Sequence, residues 1–190
     1  GGTTTLAGDV INSSLHQSDS GMLNLGASGQ GISLADSTIA SGTANLLAST
    51  ITGGATGGFT ISSGATLATT KETTIAALFN GNGTISATGN TLNFSTTDGT
   101  TSGAHGKSFT GTISAVAQTT DGTTKKATVN LDSSYGLNTG ATVSLDNSIL
   151  NYGFSESTTE TTLSDASLFN IALSNGATAN INGADREDHN

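Results

Sequence analysis

The sequence predicts an all-β fold, built either as a sandwich of short strands or as a β-solenoid. Thr, Ser, Gly and Asn dominate the 190 residues, which include 26 Gly and no Pro, and these residue types suit strand surfaces and tight turns. Short apolar pairs recur at i and i+2, the period of a β-strand. The dipeptide Asp-Gly, a strong hairpin signal, occurs at 98–99 and 121–122.

The first half of the chain carries a solenoid-like pattern. Between residues 20 and 70, apolar pairs such as Ile32 with Leu34 and Phe59 with Ile61 alternate with small residues. Very short strands with small residues between them suit coils stacked on one another, and they also suit a sandwich. We therefore expect residues 1–88 to form one β-rich unit.

Two copies of TTDGTT predict tight turns in the second half of the chain. Gly takes a positive φ at little cost and Asp tolerates tight turns, so the turn-forming residues are expected to be Asp98, Gly99, Asp121 and Gly122.

For the second copy, the sequence favours a three-residue loop at 120–122. This register places Ile113 opposite Val129 and Ala117 opposite Lys125, so the apolar side chains share one face. Residues 89–183 are therefore expected to form a hairpin-rich unit, followed by a charged tail at 184–190.

A longer echo relates the two halves. Gly58-Phe59 and Leu78-Phe79-Asn80 are matched by Gly153-Phe154 and Leu168-Phe169-Asn170, which together hold four of the six Phe. The echo predicts that the second unit is a diverged repeat of the first.

One or two short helices are also compatible with the sequence. KETTIAALFN at 71–80 could be capped by Thr70 and ended by Gly81, and ETTLSDASLFN at 160–170 is similar. The alternative is that both segments are strands, because Thr and Ile prefer strands.

The charge pattern excludes several classes of partner. Fourteen acidic and five basic residues give a formal net charge of −9, and a nucleic acid or an anionic membrane surface would need a positive face. No apolar run is long enough to span a membrane. The absence of Cys excludes disulfides and Cys-based zinc sites.

Neither the histidines nor the serines predict a catalytic centre. His16, His105 and His189 are far apart and form no metal-binding spacing, and no Ser lies in a GxSxG motif. We expect no enzyme activity and no cofactor.

Carboxylates and aromatic residues leave weaker options open. Glycoside cleavage needs a pair of carboxylates, but the acids of the second half are better explained as turn residues or strand ends: Asp98, Asp121, Asp132 and Asp146. Ca²⁺ binding stays open, although neither calcium-binding loop motif is present. The two tyrosines, Tyr135 and Tyr152, are the aromatic residues that could contact a glycan. Thr-rich strands can bind ice, but the Thr runs at 3–5 and 69–70 show no constant period.

The composition resembles a class of secreted bacterial surface proteins. LNLGASGQGISLADSTIASGTANLLAS at 23–49 and NGNGTISATGNTLNFSTTDG at 80–99 resemble repeats of filamentous-haemagglutinin-like adhesins, autotransporter passengers and surface-layer proteins. The resemblance covers most of the chain and carries no functional residue.

These observations together predict an exported, extracellular or cell-surface structural protein without catalytic activity. We expect a self-assembling subunit or repeat segment of a surface layer, filament or adhesin. Sparse charge leaves the edges of the β-sheets unblocked, so we expect further copies of the chain to pair with them and form a homo-oligomer or polymer. A glycan or a host-surface receptor is a further expected partner. The alternatives are a carbohydrate-binding module and a β-helical enzyme acting on polysaccharides.

Overall fold

In the computed structural model, the described part of the chain consists of short β-strands joined by turns and loops, and it contains no α-helix. All but two strands belong to three parallel sheets of eight, seven and five strands. The all-β prediction is therefore confirmed, with the solenoid and not the sandwich as its architecture. The structure describes residues 2–6, 16–17, 21–34, 36–53, 58–95, 105–106, 108–132, 135–153 and 169–181.

Each sheet is a stack of short strands from successive coils. The first sheet contains β1 (Thr3–Leu6), β3 (Met22–Leu25), β6 (Thr43–Leu46), β9 (Thr66–Thr69), β12 (Thr84–Thr88), β15 (Thr112–Val116), β19 (Thr142–Asp146) and β21 (Asn170–Ser174). The second contains β4 (Gly31–Leu34), β7 (Thr50–Gly53), β10 (Thr73–Ile75), β13 (Thr91–Phe94), β18 (Thr128–Leu131), β20 (Ile149–Tyr152) and β22 (Thr178–Ile181). The third contains β2 (His16–Gln17), β5 (Ser37–Ile39), β8 (Phe59–Ile61), β11 (Phe79–Gly81) and β14 (Ser108–Phe109).

From β3 to β14 the chain visits the three sheets in a fixed order, so that β3, β4 and β5 form one coil and β6, β7 and β8 the next. The described strands after β14 lie in the first and second sheets, except for the two-stranded sheet. Coil length varies: Thr66 aligns with Thr84, 18 residues on, whereas Thr112 aligns with Thr142, 30 residues on. The additional residues lie between strands, so the strands themselves stay in register. The boundary expected between the two units, at residues 88–89, falls inside this stack. Strands on its two sides pair with each other: β12 pairs with β15, and β10 pairs with β13.

Alternating side chains build one core along the stack. In β12, Ile85 and Ala87 are fully buried, while the three residues that alternate with them are partly exposed. Because the strands are in register, inward positions of successive coils form rows, and burial of these apolar rows stabilises the stack. The buried residues form one hydrophobic cluster from Leu23 to Phe169.

Two glycines allow neighbouring coils to approach closely. Gly81 has a φ of 93°, and a Cβ at this position would collide with the carbonyl oxygen of Ile61. A Cβ on Gly111 would collide with the carbonyl oxygen of Gly83. A side chain at either position would therefore separate two coils that pair through their backbones.

The Asp121-Gly122 hairpin has a shorter loop than the sequence predicted. β16 (Gln118–Thr120) and β17 (Thr123–Lys125) form the two-stranded antiparallel sheet, and Thr120 pairs with Thr123, so the loop has two residues and not three. Asp121 and Gly122 have φ values of 49° and 76°, the paired positive values of a type I′ turn.

The predicted pairing of Ile113 with Val129 is also wrong. Ile113 aligns in parallel with Ile85 and Val143, and Val129 lies in the second sheet. The prediction assumed that the hairpin continued into the core strands. The hairpin is instead an exposed excursion from the stack, so no buried face selects its register.

The helix alternative for residues 71–80 is wrong, since this segment contributes β10 and starts β11. Thr73 and Ile75 both point into the core, where β-branched side chains fit the sheet. The other helical candidate lies outside the described residues except at 169–170, where Asn170 begins β21. Asp98, Gly99 and the expected tail at 184–190 also lie outside them.

Candidate functional surfaces

Two hydroxyl rows lie on the outward side of the first sheet. The threonine row places one Thr at the same position of five consecutive strands: Thr43, Thr66, Thr84, Thr112 and Thr142. The serine row lies two residues along the same strands and comprises Ser86, Ser114 and Ser144. Neighbouring strands lie about 4.8 Å apart, so each row repeats one hydroxyl at that interval.

Most of these hydroxyls are not used inside the protein. Within the described ranges, the side chains of Thr84, Thr112 and Thr142 make no hydrogen bond, and the same holds for the serine row. Each hydroxyl can therefore both donate to and accept from solvent or a ligand.

The second sheet carries an asparagine ladder on its outward side. Asn93, Asn130, Asn151 and Asn180 occupy one outward row. The amide Nδ2 of Asn130 donates to Asn93 Oδ1 at 2.7 Å, and Asn151 and Asn180 each donate to the preceding Oδ1 at 2.8 Å. These amides bond to one another from coil to coil, so the ladder is a structural element.

The hairpin formed by β16 and β17 is exposed along its whole length. All residues from Gln118 to Lys126 are exposed. Lys125 and Lys126 are two of the five basic residues of the chain. The hairpin therefore offers a small positively charged projection on an acidic protein.

Tyr135, one of the two tyrosines expected to contact a ligand, lies in the core. It is fully buried, and its hydroxyl donates to the carbonyl oxygen of Ala77 at 2.7 Å. Its ring packs against Phe94 with centroids 5.1 Å apart and against His105 at 5.7 Å. This side chain has no accessible surface for a glycan and instead anchors the segment between β18 and β19.

Tyr152 is the more accessible tyrosine. It is partly exposed and makes an edge contact with Phe169, with ring centroids 5.2 Å apart. Partial burial raises the pKa of its hydroxyl above 10.0, and the negative charge of Asp132 raises this pKa further. The hydroxyl therefore stays protonated and able to donate at neutral pH.

The carboxylates considered for catalysis lie on separate elements. Asp121 is at the tip of the hairpin, Asp132 follows β18 in the second sheet, and Asp146 ends β19 in the first sheet. Asp146 accepts a hydrogen bond from Asn175 at 2.6 Å. No group of three or more potential metal ligands occurs among the described residues.

One buried amide ties a corner of the stack together. Asn90, between β12 and β13, donates to Thr69 Oγ1 at 3.1 Å and to the carbonyl oxygen of Lys71 at 2.7 Å. Its Oδ1 is the one buried side-chain oxygen or nitrogen without a partner in the part of the chain covered by the structure. The contacts hold this corner against the preceding coil.

Sequence reasoning missed all three outward rows, although a signal was present. TIS at 84–86 and 112–114 and TVS at 142–144 mark the hydroxyl rows, and TLN, TVN, ILN and TAN mark the ladder. A search for a constant period overlooks these triplets because the coils differ in length.

No protein-family model, curated protein sequence or solved structure matches this chain. Among the described residues, no helix is long and apolar enough to cross a membrane.

Proposed function

We propose that this chain is a non-catalytic extracellular structural protein, a self-assembling subunit or repeat segment of a surface layer, filament or adhesin. The observation that carries the proposal is the single stack of in-register parallel strands, with one core and repetitive polar faces. In such a fold each coil contacts only its neighbours, so stacking more coils extends the shape without a new kind of contact.

The chemistry of the surface supports a role in contact and assembly. The outward rows of the first and second sheets are mostly hydroxyls and amides, and the carboxylates that could have formed a catalytic pair lie on different elements. Repeated neutral polar groups suit extended contacts with a surface, because no single residue has to carry the interaction. The compositional resemblance to secreted bacterial adhesins agrees with this setting.

The hairpin allows a direct test of location. An epitope inserted between Asp121 and Gly122 lies at an exposed turn, where insertions are tolerated. Antibody should label the epitope on intact cells that produce the protein. An antibody to a cytoplasmic protein provides the control for cell integrity. Labelling that requires permeabilised cells would contradict an extracellular role.

Assembly is tested on the purified chain by negative-stain electron microscopy, with and without Ca²⁺. Ordered filaments or sheets are expected. Particles that stay monodisperse in both conditions would contradict autonomous assembly and leave only the role of a repeat segment.

The hydroxyl rows favour carbohydrate binding as a second candidate function. A linear polysaccharide also presents hydroxyls at regular intervals, and it could bridge several coils along the threonine row. Thr112→Val removes one hydroxyl while keeping the β-branched shape, and Thr128→Val makes the same change on the second sheet. Weaker binding to insoluble polysaccharides with Thr112→Val alone is expected. Equal effects of both variants, or binding to ice only, would refute this candidate.

A further inference from the structure

The last coil of the stack leaves two core positions uncovered. Leu173 in β21 is 53 % exposed and Ile181 in β22 is 44 % exposed, although both occupy inward rows. In the same row as Leu173, Leu145 and Ala115 are fully buried because a further coil covers them. The end of the stack therefore has the apolar pattern of an interface between two coils.

Among the described strands, none pairs with the outer edge of the backbone at this end. β21 and β22 are the outermost strands of the first and second sheets. Natural β-proteins commonly block such edges with charged residues or Pro. Neither strand contains a charged residue, and the chain has no Pro. A parallel strand could hydrogen-bond along this edge.

The opposite end of the first sheet presents a compatible strand. β1 is its outermost strand there, contains no charged residue, and exposes Thr4 at an inward position. The inward row that contains Thr4 runs through β3 to β19 and ends at Ile171. The neighbouring row runs from the position of Leu6 to that of Leu173. Both ends therefore have the same alternation and the same strand direction.

We propose that copies of this chain associate head to tail, with β21 of one copy pairing in parallel with β1 of the next. The register that continues the rows places Thr4 beside Ile171 and Leu6 beside Leu173. This interface joins two different surfaces of the same chain. Because the in-register rows continue in one stacking direction, the contact adds subunits to an open filament and not to a closed ring. The inference rests on the proposed structural function and identifies the contact that would carry its self-assembly.

Paired variants test the uncovered end. Leu173→Lys places a charge at the inward position, and Ala172→Lys places the same charge on the outward side of the same strand. Sedimentation velocity over a wide range of concentration should show that Leu173→Lys raises the concentration needed for assembly by about tenfold or more, because a lysine would be buried at the contact. Ala172→Lys should assemble nearly like the wild type. Circular dichroism verifies the fold of each variant.

A mixing experiment tests the polarity of the contact. Thr4→Lys blocks the opposite end, so each blocked variant alone should stay monomeric at concentrations at which the wild type assembles. A mixture of Leu173→Lys and Thr4→Lys retains one intact pair of ends and should form discrete dimers. Wild-type chains that stay monomeric at every concentration would overturn the proposal. Assembly of either blocked variant like the wild type would also overturn it, as would failure of the mixture to dimerise.

The two hypotheses can fail separately. A monomeric chain labelled on intact cells would refute the head-to-tail contact and keep the extracellular structural role. A chain that polymerises through these ends but is labelled only after permeabilisation would keep the contact and refute the location.

Discussion

The asparagine ladder provides a quantitative test of what holds the coils together. Asn130 is an interior member: its Nδ2 donates to Asn93 at 2.7 Å and its Oδ1 accepts from Asn151 at 2.8 Å. Asn130→Ala removes both hydrogen bonds while keeping the backbone pairing. A net contribution of about 0.5–1.5 kcal/mol per bond predicts a loss of about 1–3 kcal/mol in the free energy of unfolding.

Asn180→Ala is the matched control at the end of the ladder. Asn180 is exposed and makes one ladder bond, at 2.8 Å to Asn151, so the same substitution should cost about 0.5–1.5 kcal/mol. Urea denaturation followed by circular dichroism measures both losses. The midpoint should fall while the slope stays constant, because the same surface is exposed on unfolding.

Two results would refute this reasoning. Equal losses for Asn130→Ala and Asn180→Ala would mean that the second bond of an interior amide adds nothing. Losses close to zero for both variants would mean that backbone pairing and core packing alone hold the coils.

Three further predictions concern the close approach of two coils, a buried hydrogen bond and the ionisation of Tyr152. Gly81→Ala should cost about 2 kcal/mol or more in urea denaturation, because its φ of 93° suits glycine and a Cβ would strike the preceding coil; an unchanged midpoint would contradict the close approach. Tyr135→Phe should cost about 1–2 kcal/mol, because it leaves the Ala77 carbonyl oxygen without the 2.7 Å hydrogen bond, and a neutral effect would refute the anchoring role. Burial and the charge of Asp132 raise the pKa of the Tyr152 hydroxyl in the folded protein above 10.0. The protonated hydroxyl therefore contributes fully to stability below pH 10.0, and this contribution is lost as the pH rises through the folded-state pKa. Thermal melts between neutral and strongly alkaline pH should show a smaller alkaline loss for Tyr152→Phe than for the wild type, and identical losses would contradict this coupling.

The strands themselves could largely be predicted from local pattern. Ile32 with Leu34 and Phe59 with Ile61 were recognised as strand pairs and lie in β4 and β8. Local pattern predicts the strands because each strand contributes apolar residues at alternating positions to the inward rows. The segment around Ile75 could be read as a helix or a strand, because its short apolar run also matches one face of a helix. In the structure it is a strand, because Thr73 and Ile75 are buried at alternating positions of the stack.

The order in which strands pair could not be derived from local pattern. Ile113 and Val129 satisfy an antiparallel register on paper, yet each aligns with residues of other coils. Parallel pairing depends on segments 18 to 37 residues apart, and the connections vary in length. The outward rows depend on this pairing, so neither the hydroxyl rows nor the ladder follows from single segments.

The path of the chain through the coils has a mechanical consequence. Strands lie across the long direction of the stack, so tension between the two ends of the chain opens the hydrogen bonds between the outermost coils first. Each coil has 18 to 37 residues and, once pulled out, would lengthen the chain by about 60–125 Å, at about 3.4 Å per residue. The remaining coils keep their own neighbours and stay folded. At a cell surface, where we propose that the protein acts, such a stack would yield to drag in steps, and each step would dissipate load before it reached the point of attachment.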